Sequence, residues 1–340
     1  MRLGLLTGGG DCPGLNAAIR AIVRFAQDSH GATVYGFRDG WRGVMEGTAD
    51  ELTRDDVRGL LTRGGTILGT SGVQPFRSAD GVDRVREARE VHRLDGFIVI
   101  GGEGTMGACA AMPDVPIIGV PKTIDNDIAG TDRSIGFQTA VQVAADLIDR
   151  LYSTAESHRR VMVCEVMGRS AGWIGLEAGI AGAADVILLP EHPFDISSVA
   201  RRVKQHMLED RRFSIVVVSE GAMPVPGTLE VPDYPLDENG WPRLGGIGGL
   251  VADELASRNA VESRITVLGH VQRGGSPVAA DRVLATRLGI AAVEEASRNG
   301  WGSMVGIVGQ ESVTTPLAGV GREPRLVPKE LWEIPQVLCD

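Results

Sequence analysis

Short apolar runs recur along this chain. Most are followed by a polar or glycine-rich step and then by apolar residues spaced three and four apart. The first run covers residues 2–7 and stops at Gly8-Gly9-Gly10. Beyond it, Leu15, Ala18, Ile19, Ile22, Val23 and Ala26 mark one face of a helix over 15–27. The same reading predicts strands over 33–37, 97–100, 117–120, 160–166, 186–189, 214–219 and 265–268. It predicts helices starting at Gly104 and over 139–153, 170–180, 196–208, 248–257 and 278–298. Alternating strands and helices imply an α/β fold whose mainly parallel sheets are covered on both faces. Ligands of such sheets sit beyond the carboxyl ends of the strands, and the polar motifs of this chain fall there. Two stretches break the rhythm. Residues 224–249 are rich in proline and glycine and read as a long surface loop. The tail after about Gly302 is less periodic and is expected to wrap the surface.

With 340 residues the chain exceeds a typical single domain, so two domains or one large α/β unit are expected. The formal net charge of -10 argues against a general nucleic-acid binder, although local arginine clusters can still hold an anionic ligand. Cys12, Cys109, Cys164 and Cys339 show no paired spacing, which fits a reduced, cytoplasmic setting. No signal core and no apolar stretch of membrane-spanning length is visible.

Three segments carry chemistry in the first half. Gly8-Gly9-Gly10-Asp11-Cys12-Pro13-Gly14-Leu15-Asn16 joins a strand to a helix. Consecutive glycines permit positive φ and leave N–H groups facing outward beside a helix start, an anion cradle. A plain turn is the competing reading, and neither GxGxxG nor Walker A fits cleanly. Glu103, flanked by Gly102 and Gly104 at a strand end, reads as a loop carboxylate facing Mg²⁺, which needs only one or two carboxylates. A solvated acid is the alternative. In Pro121-Lys122-Thr123-Ile124-Asp125-Asn126-Asp127, an extended chain turns Asp125 and Asp127 the same way, so both enter one pocket; an Asx turn is the alternative. A carboxylate beside a hydroxyl can take its proton. Lys122 and Thr123 can hold a moving phosphoryl group.

The second half supplies basic elements beside strand ends: His158-Arg159-Arg160, Met167-Gly168-Arg169, Arg264 and His270-Val271-Gln272-Arg273. Arginine grips phosphate bidentately, so their recurrence suggests a sugar-phosphate site, with Glu220 accepting from sugar hydroxyls. Arg20 and Arg24 lie one helical turn apart, either a solvated face or a second anion site.

Taken together, residues 9–20, 101–105, 121–127, 165–169 and 268–275 resemble the signatures of bacterial-type 6-phosphofructokinases, in family order. The chain looks like an actinobacterial-like member with mixed motifs. The resemblance implies two Rossmann-like three-layer α/β/α domains with the active site in the cleft between them. Residues 1–136 plus about 272–325 would bind the phosphoryl donor, 137–271 the sugar phosphate, and 326–340 would form a C-terminal tail. It implies Mg²⁺-dependent transfer from ATP to the 1-hydroxyl of fructose 6-phosphate, a glycolytic step. Asp125 would be the general base, supported by Thr123, Lys122 and Asp127, with Arg169 stabilising the phosphoryl group and Glu103 at the metal. Gly10, Asp11, Gly102, Gly104, Thr105 and Arg77 would lie at the donor. Arg160, Met167, Gly168, Arg169, Glu220, Arg264, His270 and Arg273 would hold the sugar phosphate. Arg160 and Arg264 match arginines that reach a neighbouring subunit's site, so a homo-oligomer, most often a tetramer, is implied.

The donor is the open choice. Glycine at 104 is typical of ATP users, whereas pyrophosphate users usually carry Asp; lysine at 122 is common among pyrophosphate users. A carboxylate at 104 would crowd an α-phosphate, so ATP is favoured, with a pyrophosphate-dependent enzyme or a non-catalytic regulatory paralogue as alternatives. Gly72 stands where many members carry arginine. At the family's effector site Arg20, Arg24 and Arg54 match and Arg211 can replace a lysine, but Glu209 would repel an effector phosphate.

Overall fold

The computed structural model describes residues 1–208, 212–236, 243–259, 261–321 and 323–334. Glu209, Arg211 and Cys339 lie outside them. The chain divides into two compact units: Met1–Thr139 with Arg273–Arg325, and Ala140–Gln272 with the C-terminal segment from Leu326.

The strands are β1 (Arg2–Gly8), β2 (Thr33–Phe37), β3 (Ala49–Leu52), β4 (Gly96–Gly101), β5 (Ile117–Thr123), β6 (Ile135–Gly136), β7 (Val161–Val166), β8 (Val186–Leu188), β9 (Ser214–Ser219), β10 (Ser263–Val267), β11 (Ser303–Val308) and β12 (Glu311–Pro316). The helices are α1 (Leu15–His30), α2 (Trp41–Glu46), α3 (Gly81–Val91), α4 (Glu103–Ala110), α5 (Phe137–His158), α6 (Trp173–Ala181), α7 (Ile196–Leu208), α8 (Ile247–Asn259), α9 (Ala279–Ser297) and α10 (Lys329–Trp332).

In the first unit the sheet runs β12-β11-β5-β4-β1-β2-β3, with short β6 beside β5. Strands β2, β1, β4, β5 and β11 are parallel, while β3 and β12 close the edges antiparallel. The central strands β1 and β4 are buried along almost their whole length, as both-face coverage demands. One face packs against α1 and α9. The other is filled by Phe37, Trp41, Phe97, Met106 and Met304. The second unit has a four-stranded parallel sheet, β10-β7-β9-β8, and a core of Val161, Val163, Phe194, Ile196, Val216, Val218 and Leu255.

The tail is not the aperiodic wrap that its sequence suggests. Residues 303–316 form the β11–β12 hairpin, and β11 extends the parallel sheet beside β5. Strand β12 is exposed or half-buried along its whole length, with little apolar content, which removes the signal. Helices α2 and α3 and strand β3 fill a region where the sequence suggested no elements. The described part of 224–249 carries no helix or strand before Ile247. Among the described residues, no helix is long and apolar enough to cross a membrane.

Candidate active site

Strand register decides which loops of the first unit are neighbours. Gly8 pairs with Gly101 across β1 and β4, and Gly101 with Pro121 across β4 and β5. The three motif loops therefore leave one edge of the sheet side by side. A Cβ on Gly102 would lie 3.3 Å from the Lys122 carbonyl, so the second loop lies against the start of the third.

The aspartate turn is tightly built. Strand β5 stops at Thr123, whose Oγ1 accepts from the Asp125 N–H at 3.1 Å. Asn126 takes φ 54°, in the left-handed region that asparagine tolerates best among non-glycine residues. Its Nδ2 donates to the Asp132 carbonyl at 3.1 Å, and its Oδ1 accepts from the Ser134 N–H at 2.9 Å. The Ser134 hydroxyl donates to the Thr123 carbonyl at 2.7 Å. The chain here is a clamped left-handed turn, so extended-chain alternation is not what orients Asp125 and Asp127. Both aspartates are buried, and Asp125 Oδ1 has no hydrogen-bond partner in the protein. Asn126 is the residue that sequence reasoning missed; its signal was an asparagine at the centre of a post-strand turn.

Lys122 is only 2% exposed. Its ammonium donates to the Gly8 carbonyl at 3.0 Å and also to the Gly10 carbonyl. Burial pushes its pKa below the ordinary lysine value. The Gly9 N–H is spent on the Ser71 carbonyl at 3.0 Å, and the Thr70 hydroxyl donates to the Gly9 carbonyl. The glycine loop is thus tied by Lys122 and by residues 70–71, and four residues separate Gly10 from the start of α1, so its N–H groups do not continue directly into the helix. Gly10 and Asp11 are exposed. Buried Cys12 has its thiol pushed up to about 12, chiefly by burial.

Glu103 does not sit in a loop: it is the first residue of α4, where a carboxylate complements the helix dipole. Gly104 is exposed, and the one non-adjacent atom near a Cβ there would be Gln74 Nε2 at 3.0 Å. Thr105 is buried and wedged against the strands; a Cβ on Gly101 would lie 2.4 Å from its own Cβ. Arg77 is exposed in the 3₁₀ turn Pro75–Arg77. Arg273 belongs to this unit. It donates to the Asp11 carbonyl at 3.4 Å and lies over Gly10 of the first glycine loop. Among the described residues no three His, Cys, Asp or Glu side chains cluster as a metal cage. Mg²⁺ needs few protein ligands, and an unpartnered buried carboxylate oxygen beside the Glu103 strand end suits it.

In the second unit β7 runs into Met167-Gly168-Arg169. Gly168 has φ 146° and Arg169 φ 52°. Glu220 Oε1 accepts from the N–H groups of Gly168 and Arg169 at 3.3 and 3.0 Å. Buried Gln272 accepts from the Met167 N–H at 2.9 Å. Glu220 therefore braces the turn that presents exposed Arg169, a role its sequence position did not reveal. Arg160 and Arg264 share one carboxylate: Glu262 pairs with Arg160 Nε at 2.6 Å and also with Arg264. His270 is exposed in the 3₁₀ turn Gly269–Arg273. Away from these elements, Arg54 pairs with Asp28 at 2.7 Å.

Glycine-edged loops, a buried aspartate turn and braced arginines at parallel strand ends define a phosphate-handling α/β protein. The phosphofructokinase family model matches residues 2–296, and the chain belongs to that family. It is 49% identical over 339 residues to a pyrophosphate–fructose 6-phosphate 1-phosphotransferase of Amycolatopsis methanolica, covering 99% of each chain. It is 47% identical over 336 residues to an ATP-dependent 6-phosphofructokinase of Mycobacterium leprae, covering 98% of each. Among solved structures, Pichia pastoris phosphofructokinase in the T-state superposes with a TM-score of 0.82 at 33% identity. That match covers 93% of this chain and 35% of the larger yeast chain.

Proposed function

We propose that the protein is a 6-phosphofructokinase that moves the terminal phosphoryl group of ATP to the 1-hydroxyl of fructose 6-phosphate, a cytoplasmic step of glycolysis. One observation carries the reading: the 101–105 and 121–127 loops leave adjacent strands, and the second presents Asp125 with a buried, unpartnered carboxylate oxygen. Asp125 accepts the hydroxyl proton as the sugar oxygen forms its new P–O bond. The bond between the γ-phosphorus and the bridging oxygen breaks, and ADP leaves. Arg169 supports the charge on the phosphoryl group, with Thr123 beside it. The donor lies against Gly10, Asp11, Gly102, Gly104 and Thr105, with Arg77. Met167, Gly168, Arg160, Arg264, Glu220, His270 and Arg273 serve the sugar phosphate. Glu103 with Asp127 would hold Mg²⁺, which when bound neutralises phosphate charge.

Two features favour ATP over pyrophosphate. Gly104 carries no side chain to crowd a nucleotide's α-phosphate, and the Lys122 ammonium is engaged by loop carbonyls. Relatives of both names stand at 47–49% identity, so likeness alone does not choose. Pyrophosphate is the second reading, because lysine occupies position 122 at all. The test is the rate with fructose 6-phosphate, Mg²⁺ and either ATP or pyrophosphate. Turnover with pyrophosphate equal to or above that with ATP overturns the donor assignment, and no turnover with either favours a regulatory paralogue. A homo-oligomer, with Arg160 and Arg264 serving a neighbour, belongs to the same reading, and a monomer by light scattering would remove it.

A further inference from the structure

Arg325 belongs to none of the sequence motifs, yet two of its nitrogens end on the aspartate turn. Its backbone N–H donates to the Asp127 carbonyl at 2.7 Å, and its Nη1 donates to the Asn126 carbonyl at 3.2 Å. Those carbonyls follow a left-handed residue, outside any sheet ladder, and backbone acceptors in buried turns need partners. One residue later the chain enters the second unit. There the N–H of buried Val327 donates to Glu191 Oε1 at 2.9 Å. The same oxygen accepts from the Gly172 N–H, at the N-cap of α6, also at 2.9 Å. Five residues beyond Val327, Trp332 stacks on His192 with ring centroids 4.3 Å apart and planes at 17°. Arg325 is thus held within the first unit by the aspartate turn, while Val327 and Trp332 are held within the second.

We infer that Arg325 is a positioning residue for the aspartate turn. The catalytic consequence rests on the proposed role of Asp125; the mechanical part does not. Without the guanidinium, the peptide after Asn126 loses its partner and can rotate. That rotation moves the flanking carboxylates. A displacement of about 1 Å in a reacting group can cost roughly a hundredfold in rate.

Hydrogen exchange of residues 122–134, measured on the full chain without substrates, tests the mechanical part, and steady-state kinetics test the catalytic one. Arg325→Ala should speed exchange in 122–134 about tenfold with the thermal midpoint little changed. It should lower kcat by roughly 10- to 100-fold while KM for fructose 6-phosphate stays within about threefold. Arg325→Lys keeps the charge and loses the fork, so it should fall between; it replaces the alanine variant if that one fails to fold. Wild-type exchange in the Arg325 variants overturns the positioning role, whatever the substrate proves to be. Faster exchange with undiminished kcat overturns the link to catalysis.

Discussion

The two units treat their cations in opposite ways. In the first, Lys122 is buried, its ammonium consumed by the Gly8 and Gly10 carbonyls. In the second, Arg160 and Arg264 are partly exposed and share the single carboxylate of Glu262. A charge held by buried backbone acceptors fixes shape, because releasing it would strand the acceptors. A charge held by an exposed carboxylate costs little to release, so a dianionic phosphate can compete for it. The first unit's lysine belongs to a preformed scaffold, and the second unit's arginines form an exchangeable grip.

The sharpest test lies in the first unit's aspartate turn, three residues beyond Lys122. Asp125→Asn should cut turnover about 10²- to 10⁴-fold, the range of general-base loss, with substrate KM nearly unchanged; near-wild-type turnover would remove Asp125 from that role. Arg264→Ala should come next, raising KM for fructose 6-phosphate by roughly tenfold or more, as loss of a charged hydrogen bond of about 1.5–3 kcal/mol implies, with kcat largely kept. Lys122→Met should act on stability first, lowering it by about 1–3 kcal/mol through the stranded carbonyls. Its pH dependence has a definite sign. Burial holds the folded Lys122 pKa below the ordinary lysine value of 10.5, so the unfolded chain binds more protons between the two values, and wild-type stability rises with pH there. Urea midpoints should therefore separate further in favour of wild type as the pH climbs toward 10.5; a gap that narrows would mean the ammonium is not the buried strut described. Glu262→Gln should have the smallest effect, shifting KM for the sugar phosphate less than about fivefold, as exposed ion pairs contribute roughly 0.2–1 kcal/mol.

The sequence was most readable where burial imposes a clean period. Strands 33–37 and 214–219 and helix 196–208 coincide with β2, β9 and α7 because their apolar positions repeat without interruption. The motif residues were findable as residue types, but their directions were not. Periodicity says nothing of a left-handed Asn126 or of a Glu220 turned back onto the backbone. Arg325 was invisible for a different reason: a lone arginine in an irregular stretch has no pattern, and its partners lie nearly two hundred residues away in the chain. The β11–β12 hairpin was lost because an edge strand with few apolar residues does not alternate strongly.

The first unit is split in sequence, and this has a consequence for synthesis. While the ribosome is still making residues 140–272, β5 has no β11 beside it and α1 has no α9 against it. The nascent chain must carry an open apolar strand edge through that interval, the kind of surface on which chaperones act. The later-encoded unit, continuous from 140 to 272 apart from its C-terminal segment, can mature before the earlier one closes.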